Sequence, residues 1–227
     1  MAVYVTAPVG DVINDNLFIV ARVEADERVA SHADVIQVPH DGLMKAVAAR
    51  NVAANSYQKA VALRAAARIK FELAVVAYGL KVAAHYEGRT ADGYLRLFPK
   101  APSNFATLSE RDLPLAVGEL AARIGDPKTD KELAKLGVPV VAAAKAYQSA
   151  ADTARTADVA LTEAQKSVQK AKHACLEAHS KLRGLLTAAF PRHSKLVASF
   201  FPITKKKAKT AEVPQTATGT TGSDGPA

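Results

Sequence analysis

The chain reads as an all-α protein built on an elongated antiparallel hairpin of two long Ala-rich helices, with short accessory helices and a disordered C-terminal tail. Three observations predict this. Leu43–Glu87 and Pro139–Arg183 are equal in length, and each keeps an apolar residue every three or four positions, the spacing of one helix face. Apart from Gly79 and the Pro139 that opens the second stretch, no glycine or proline falls inside either one. Hydrophobic residues make up 49% of the chain while aromatics are only 6%, and much of the apolar content is alanine, so cohesion must come from close helix contact.

Residues 1–41 form an acidic segment, with two cations against seven anions. Val3, Tyr4 and Val5 are strand-prone, and Asn14-Asp15-Asn16 is a turn signal. The run Leu17–Val20 opens either a helix continuing through Glu24 and Val29 or a buried strand. The acidity is expected to lay this segment along the basic hairpin. Pro39, His40, Asp41 and Gly42 then break the chain, and Asp41 suits the N-cap of the first rod.

The first long helix carries Leu43, Val47, Ala54, Tyr57, Val61, Ala65, Ile69, Leu73, Val76, Leu80 and Ala83 on its apolar stripe. Lys45, Arg50, Lys59, Arg64, Arg68, Lys70 and Lys81 lie mostly off it. Gly79 costs roughly 1 kcal/mol of helix propensity and is expected to admit a close neighbour. Gly88 is placed as the C′ residue ending the helix.

A segment with several breaks connects the rods. Tyr94–Phe98 forms a short apolar turn before Pro99, and Pro102-Ser103-Asn104 a loop. Ser109-Glu-Arg-Asp112 has the capping-box spacing ahead of an amphipathic helix through Leu113, Val117, Leu120, Ala121 and Ile124. Gly125-Asp126-Pro127 stops that helix, and Thr129-Asp-Lys-Glu132 repeats the capping pattern before a turn closing on Gly137. Pro139 suits the first position of the second rod. Its stripe runs Tyr147, Ala151, Ala154, Leu161, Ala164, Val168, Ala171, Cys175, Ala178, Leu182, Leu185 and Ala189. At 1.5 Å per residue each rod is about 68 Å long. Gly184 and Pro191 close the hairpin, and a last turn over Ser194–Phe201 packs Phe200 and Phe201. The chain therefore divides into the acidic segment 1–41, a helical hairpin or bundle domain 42–201, and a Lys-containing tail 202–227 whose composition cannot build a core.

The formal charge of +8 makes polyanion binding a question worth asking. The cations concentrate on the rods, with nine against three anions in residues 42–98 and nine against four in 138–203. Lys205, Lys206, Lys207 and Lys209 form the densest cluster and are the possible polyanion-binding residues, through counterion release without sequence readout. Arg64, Arg68, Lys70, Lys166, Lys170 and Lys172 are the helix cations available for a basic face.

Catalytic chemistry finds little footing. The candidate Glu and His ligands on the rods are Glu72, His85, Glu87, Glu163, His173, Glu177 and His179, but no Glu-x-x-His occurs, and His173 and His179 fall on different faces. Cys175 is the only cysteine, which rules out an intrachain disulfide, and its place among Ala171, Ala174 and Ala178 suggests packing. A contact between Cys175 and His179, one helical turn apart, is geometrically open. No Gly-rich phosphate loop or Gly-x-Ser-x-Gly elbow is present. No catalytic residue, metal site or cofactor is assigned.

The expected function is that of a non-enzymatic helical scaffold or protein-interaction protein that self-associates, its partners being a second copy or other proteins. The alternative is a nucleic-acid-associated protein using the Lys205–Lys209 tail and cationic helix faces. A weaker alternative is an amphipathic coat on a granule or membrane surface. The N-terminus lacks a basic leader and no apolar run approaches the roughly 20 residues of a membrane span, so a cytoplasmic location is expected.

Overall fold

The computed structural model describes residues 7–202. Helix accounts for 81% of it, with no strand among the described residues, as the all-α reading requires. Helix α1 spans Val9–Glu24, and a single 3-10 turn, Ala30–His32, leads into α2, Asp34–His85. Three short helices come next, α3 at Asp92–Leu97, α4 at Asn104–Thr107 and α5 at Leu113–Ile124. The long α6, Lys131–Ala189, returns antiparallel to α2, and α7, Ser194–Ser199, closes the described chain. With 59 residues α6 is about 88 Å long. The expected disorder of the tail from 203 onward lies outside the described residues, as does the strand-prone Val3–Val5.

Both rods begin earlier than their local breakers suggest. Pro39 and Gly42 lie inside α2, and Gly137 and Pro139 inside α6. An interior proline removes one helical hydrogen bond and costs about 3 kcal/mol in isolation. Burial on both sides of each proline offsets that cost: Ile36, His40 and Leu43 around Pro39, and Leu133, Gly137 and Val140 around Pro139. Asp41 therefore caps nothing and instead accepts a hydrogen bond from Gln37 Nε2 at 2.8 Å. The true cap of α6 is Asp130, whose carboxylate accepts from the Glu132 and Leu133 N–H groups at 2.8 and 3.3 Å.

The core is split between the two ends of the hairpin. At one end Phe71, Val75, Tyr78 and Val82 of α2 meet Leu133, Val140, Ala144 and Tyr147 of α6, with α3 and α5 covering them. Tyr78 Oη donates to the Leu133 carbonyl at 3.2 Å and pins the start of α6 to α2. Arg68 reaches across to the carbonyls of Ala106 and Leu108, and Arg64 pairs with Glu110 at 2.7 Å, so both tie down the loop between α4 and α5. At the other end Ile19, Val20 and Val23 of α1 pack with Ile36, Leu182 and Leu186, closed off by Phe190, Val197 and Phe200.

Between these ends lies a waist of two helices. Across residues 44–70 of α2 only Ala60 is fully buried, and between Tyr147 and Val168 of α6 only Ala154. At both positions a small side chain lets the axes approach.

The acidic segment docks by its apolar face rather than by charge. Asp26 pairs with Arg28 of its own segment at 2.6 Å. Both cations of the segment lie over aromatic rings of the α6–α7 end, Arg22 over Phe200 at 5.8 Å and Arg28 over Phe190 at 4.5 Å.

Two backbone sites yield predictions. Helix α2 ends in a Schellman motif: the Gly88 N–H reaches the Ala83 carbonyl and the Glu87 N–H that of Ala84. The left-handed C′ residue is thus Glu87, at φ 54°, not Gly88. Glu87→Gly should raise stability by up to about 1 kcal/mol by removing the Cβ penalty, read as a higher denaturant midpoint at unchanged slope. At Gly137 an added Cβ would run into Ile124 Cγ2 and the Tyr78 ring. Gly137→Ala should cost about 1–3 kcal/mol despite its better helix propensity, and a Tm at or above the parent's would contradict this packing.

Candidate functional site

The described residue set holds one place where chemically versatile side chains converge, at the junction of α1, α2 and α6. Asn16 is fully buried there. Its Nδ2 lies 3.5 Å from His40 Nδ1 and its Oδ1 2.5 Å from His179 Nε2. Read as a network, the Asn16 amide donates to His40, while the His179 Nε2–H donates to the amide oxygen. The Cys175 thiol also hydrogen-bonds Asn16. The one-turn spacing of Cys175 and His179 on α6 does bring both to one node, but through Asn16, which the sequence marks only as a turn residue.

The electrostatics of this node oppose nucleophilic activation. Burial pushes the Cys175 thiol upward, only partly offset by the Asn16 hydrogen bond, and no part of Cys175 is solvent-exposed. His179 is driven down from 6.5 to about 4, first by burial and then by the nearby Arg183 charge. Both groups are therefore neutral near pH 7, whereas an activated pair needs a thiolate beside an imidazolium. Val12, Leu43 and Val168 seal the thiol. The node joins α1 to the hairpin and fixes its register, since an unpaired Asn16 in that interior is costly.

The other singled-out residues disperse. His173 is exposed, and His85 is exposed in the last turn of α2, where it complements the helix dipole. Among the described residues no group of three or more His, Cys, Asp or Glu side chains converges as a metal site. Of the helix cations, Arg64 and Arg68 are committed to the α4–α5 loop, and Lys172 is buried. Lys70, Lys166 and Lys170 remain exposed, on different rods. Lys205, Lys206, Lys207 and Lys209 lie outside the described residues. A polar cleft of about 280 Å³ opens beside the start of α5, between Tyr57, Arg64, Arg111, Tyr147 and Arg155, with Glu110 and Asp158 interleaved among its cations.

One surface feature of α2 is apolar. Ile69, Leu73, Val76 and Leu80 are 58, 66, 44 and 56% exposed, while Phe71, Val75, Tyr78 and Val82 are buried. The sequence stripe on this half of α2 is therefore the outer face, and the core uses the opposite one. Both faces carry the helical period, so periodicity alone does not choose between them. Among the described residues no helix is long and apolar enough to cross a membrane. No protein-family model, curated protein or solved structure matches the chain.

The node predicts a pH response. His179 has a folded pKa below its unfolded value, so its contribution is complete above about pH 6.5 and is lost as pH falls toward 4. Thermal stability should drop over that window by on the order of 2 kcal/mol. His179→Gln, which can still donate to Asn16, should flatten this part of the profile. An unchanged slope would show that the node does not carry it.

Proposed function

We propose that the protein is a non-enzymatic helical scaffold whose rod surface binds protein chains. The observation that carries this is the outer face of α2, where four large aliphatic side chains are about half exposed on the side opposite the core. Leaving such a row in water forfeits roughly 1 kcal/mol or more per side chain that a covering partner would recover. The row sits on a rigid helix braced by α3, α5 and α6, which suits a preformed contact surface. The neutral, sealed Cys175–Asn16–His179 node supports the same reading.

Pull-down from the source cell tests it, comparing the parent chain with Leu73→Lys. Leu73 is two-thirds exposed, so the substitution should leave helicity and Tm nearly unchanged. Partner chains retained by the parent and lost from the variant are the expected result. Salt-dependent retention on DNA by both forms alike, with no protein partner, would instead favour the nucleic-acid reading through the lysines at 205–209.

A further inference from the structure

The two ends of the hairpin differ in how they respond to acid. At the α3–α5 end the core is apolar and aromatic, and burial pushes the phenols of Tyr78 and Tyr147 up, Tyr78 to about 12, so neither changes charge below neutral pH. At the α1 end two imidazoles meet one amide. Asn16 faces His40 with Nδ2 and His179 with Oδ1. An amide is a donor at one atom and an acceptor at the other. Whichever way round it sits, one of the two rings has to present a bare nitrogen to it, and only a neutral imidazole has one. The docked node therefore holds at most one imidazolium, whereas the same two histidines in water take up two protons.

We propose that α1 is a proton-released strap: acid that charges both His40 and His179 detaches α1 from a hairpin that stays folded. The strap is independent of what the outer face of α2 binds. Apart from the node, α1 is held mainly by Val12, Ile19, Val20 and Val23, whose burial carries no proton dependence. Its release uncovers Ile36, Leu43, Cys175 and Leu182, which pack with those residues.

The surroundings of the node favour this sense of response. His179 faces Asn16 of α1, His40 of α2 across that amide, and the Phe201 ring beyond α7. On α6 itself Cys175 lies one turn before it and Arg183 one turn after, the latter 4.7 Å over the Phe201 ring. Burial and then the Arg183 charge hold the ring neutral, and among the described residues no carboxylate offsets them. Lys172 is buried on the same face of α6, two turns before His179. Beside His40, Asp41 is exposed and accepts from Gln37. His32 of the 3-10 turn is half-buried. Asp15 of α1 acts in the opposite sense, since burial and Asp11 raise its carboxyl and acid relieves that cost. Its effect enters only as pH nears the carboxylate range, and an Asp15→Asn background removes it.

Cys175 reports release because it is fully buried beneath α1. The described tyrosines, Tyr57, Tyr78, Tyr86, Tyr94 and Tyr147, report the waist and the far end. The test is the rate at which Cys175 of the full chain reacts with 4,4′-dithiodipyridine, an aromatic disulfide that attacks thiols in acid. The rate is followed from about pH 7.5 to about pH 4.5 and divided at each pH by that of the urea-unfolded chain. Below about pH 6.5 the ratio should rise by about tenfold per pH unit for each proton taken up, with the near-UV tyrosine signal unchanged. His40→Gln with His179→Gln, which offers Asn16 an amide on both sides, should abolish the dependence. Asn16→Asp, whose carboxylate accepts from both rings, should reverse it and tighten docking as pH falls to about 5. A ratio that does not vary with pH would overturn the strap, as would a slope that survives the double variant or keeps its sign in Asn16→Asp. So would a tyrosine signal lost together with the protection. The parent profile decides the matter even where a variant fails to fold.

Discussion

Two long helices cannot bury their apolar surface against each other alone, and the rest of this fold is arranged around that constraint. A pair of rods shares only one line of contact, and here alanine fills much of it. Burial therefore concentrates where a third element can be added. α3 and α5 cover one end around Phe71, Tyr78 and Tyr147, while α1 and α7 cover the other around Ile19, Leu182 and Phe200. The waist between them holds register mainly through Ala60 and Ala154 and through the rigidity of two helices anchored at both ends.

The two ends are closed by different chemistry. Around Tyr78 the packing is aromatic, with Phe71 edge-on to Phe105 at 5.6 Å and Phe98 tilted against Tyr78 at 5.8 Å. Around α1 a buried polar node is set into an otherwise apolar contact. Asn16 satisfies both histidines and the thiol only when α1 lies at one height along the hairpin, since one helical turn of slippage would strand them. Such a node contributes specificity of register more than net stability.

Much of the architecture is legible in the chain because helix length and periodicity are local properties. Leu43–Glu87 and Pro139–Arg183 lie wholly or almost wholly within the observed rods. Ser109 Oγ accepts the Asp112 N–H at 3.2 Å, but the N-cap of α5 is Asp112, so Ser109 closes the turn before the helix and does not cap it. The features that escape depend on tertiary contact. Pro39 and Pro139 read as boundaries because local propensity stops a helix there, yet burial carries both helices through. α1 cannot be told from a strand over so few residues. The choice between the two apolar faces of α2 is hidden as well, since Phe71 and Leu73 both keep the helical period and only α5 and α6 decide which is covered. The node is half visible: the spacing of Cys175 and His179 points to a contact, but nothing local links either to Asn16 on another helix.

Stability thus resides at the two ends of the hairpin, while the outer face of α2 is left uncovered. Site-resolved amide hydrogen exchange tests this division most directly, because local opening free energy tracks the density of buried contacts. The slowest exchange should fall in two separated blocks, around Phe71–Val82 with Leu133–Tyr147, and around Ile36–Leu43 with Cys175–Leu186. The waist near Ala49–Gln58 and Thr156–Ser167 should open at lower free energy. Protection that is uniform along both helices, or greatest at the waist, would contradict a hairpin held from its ends.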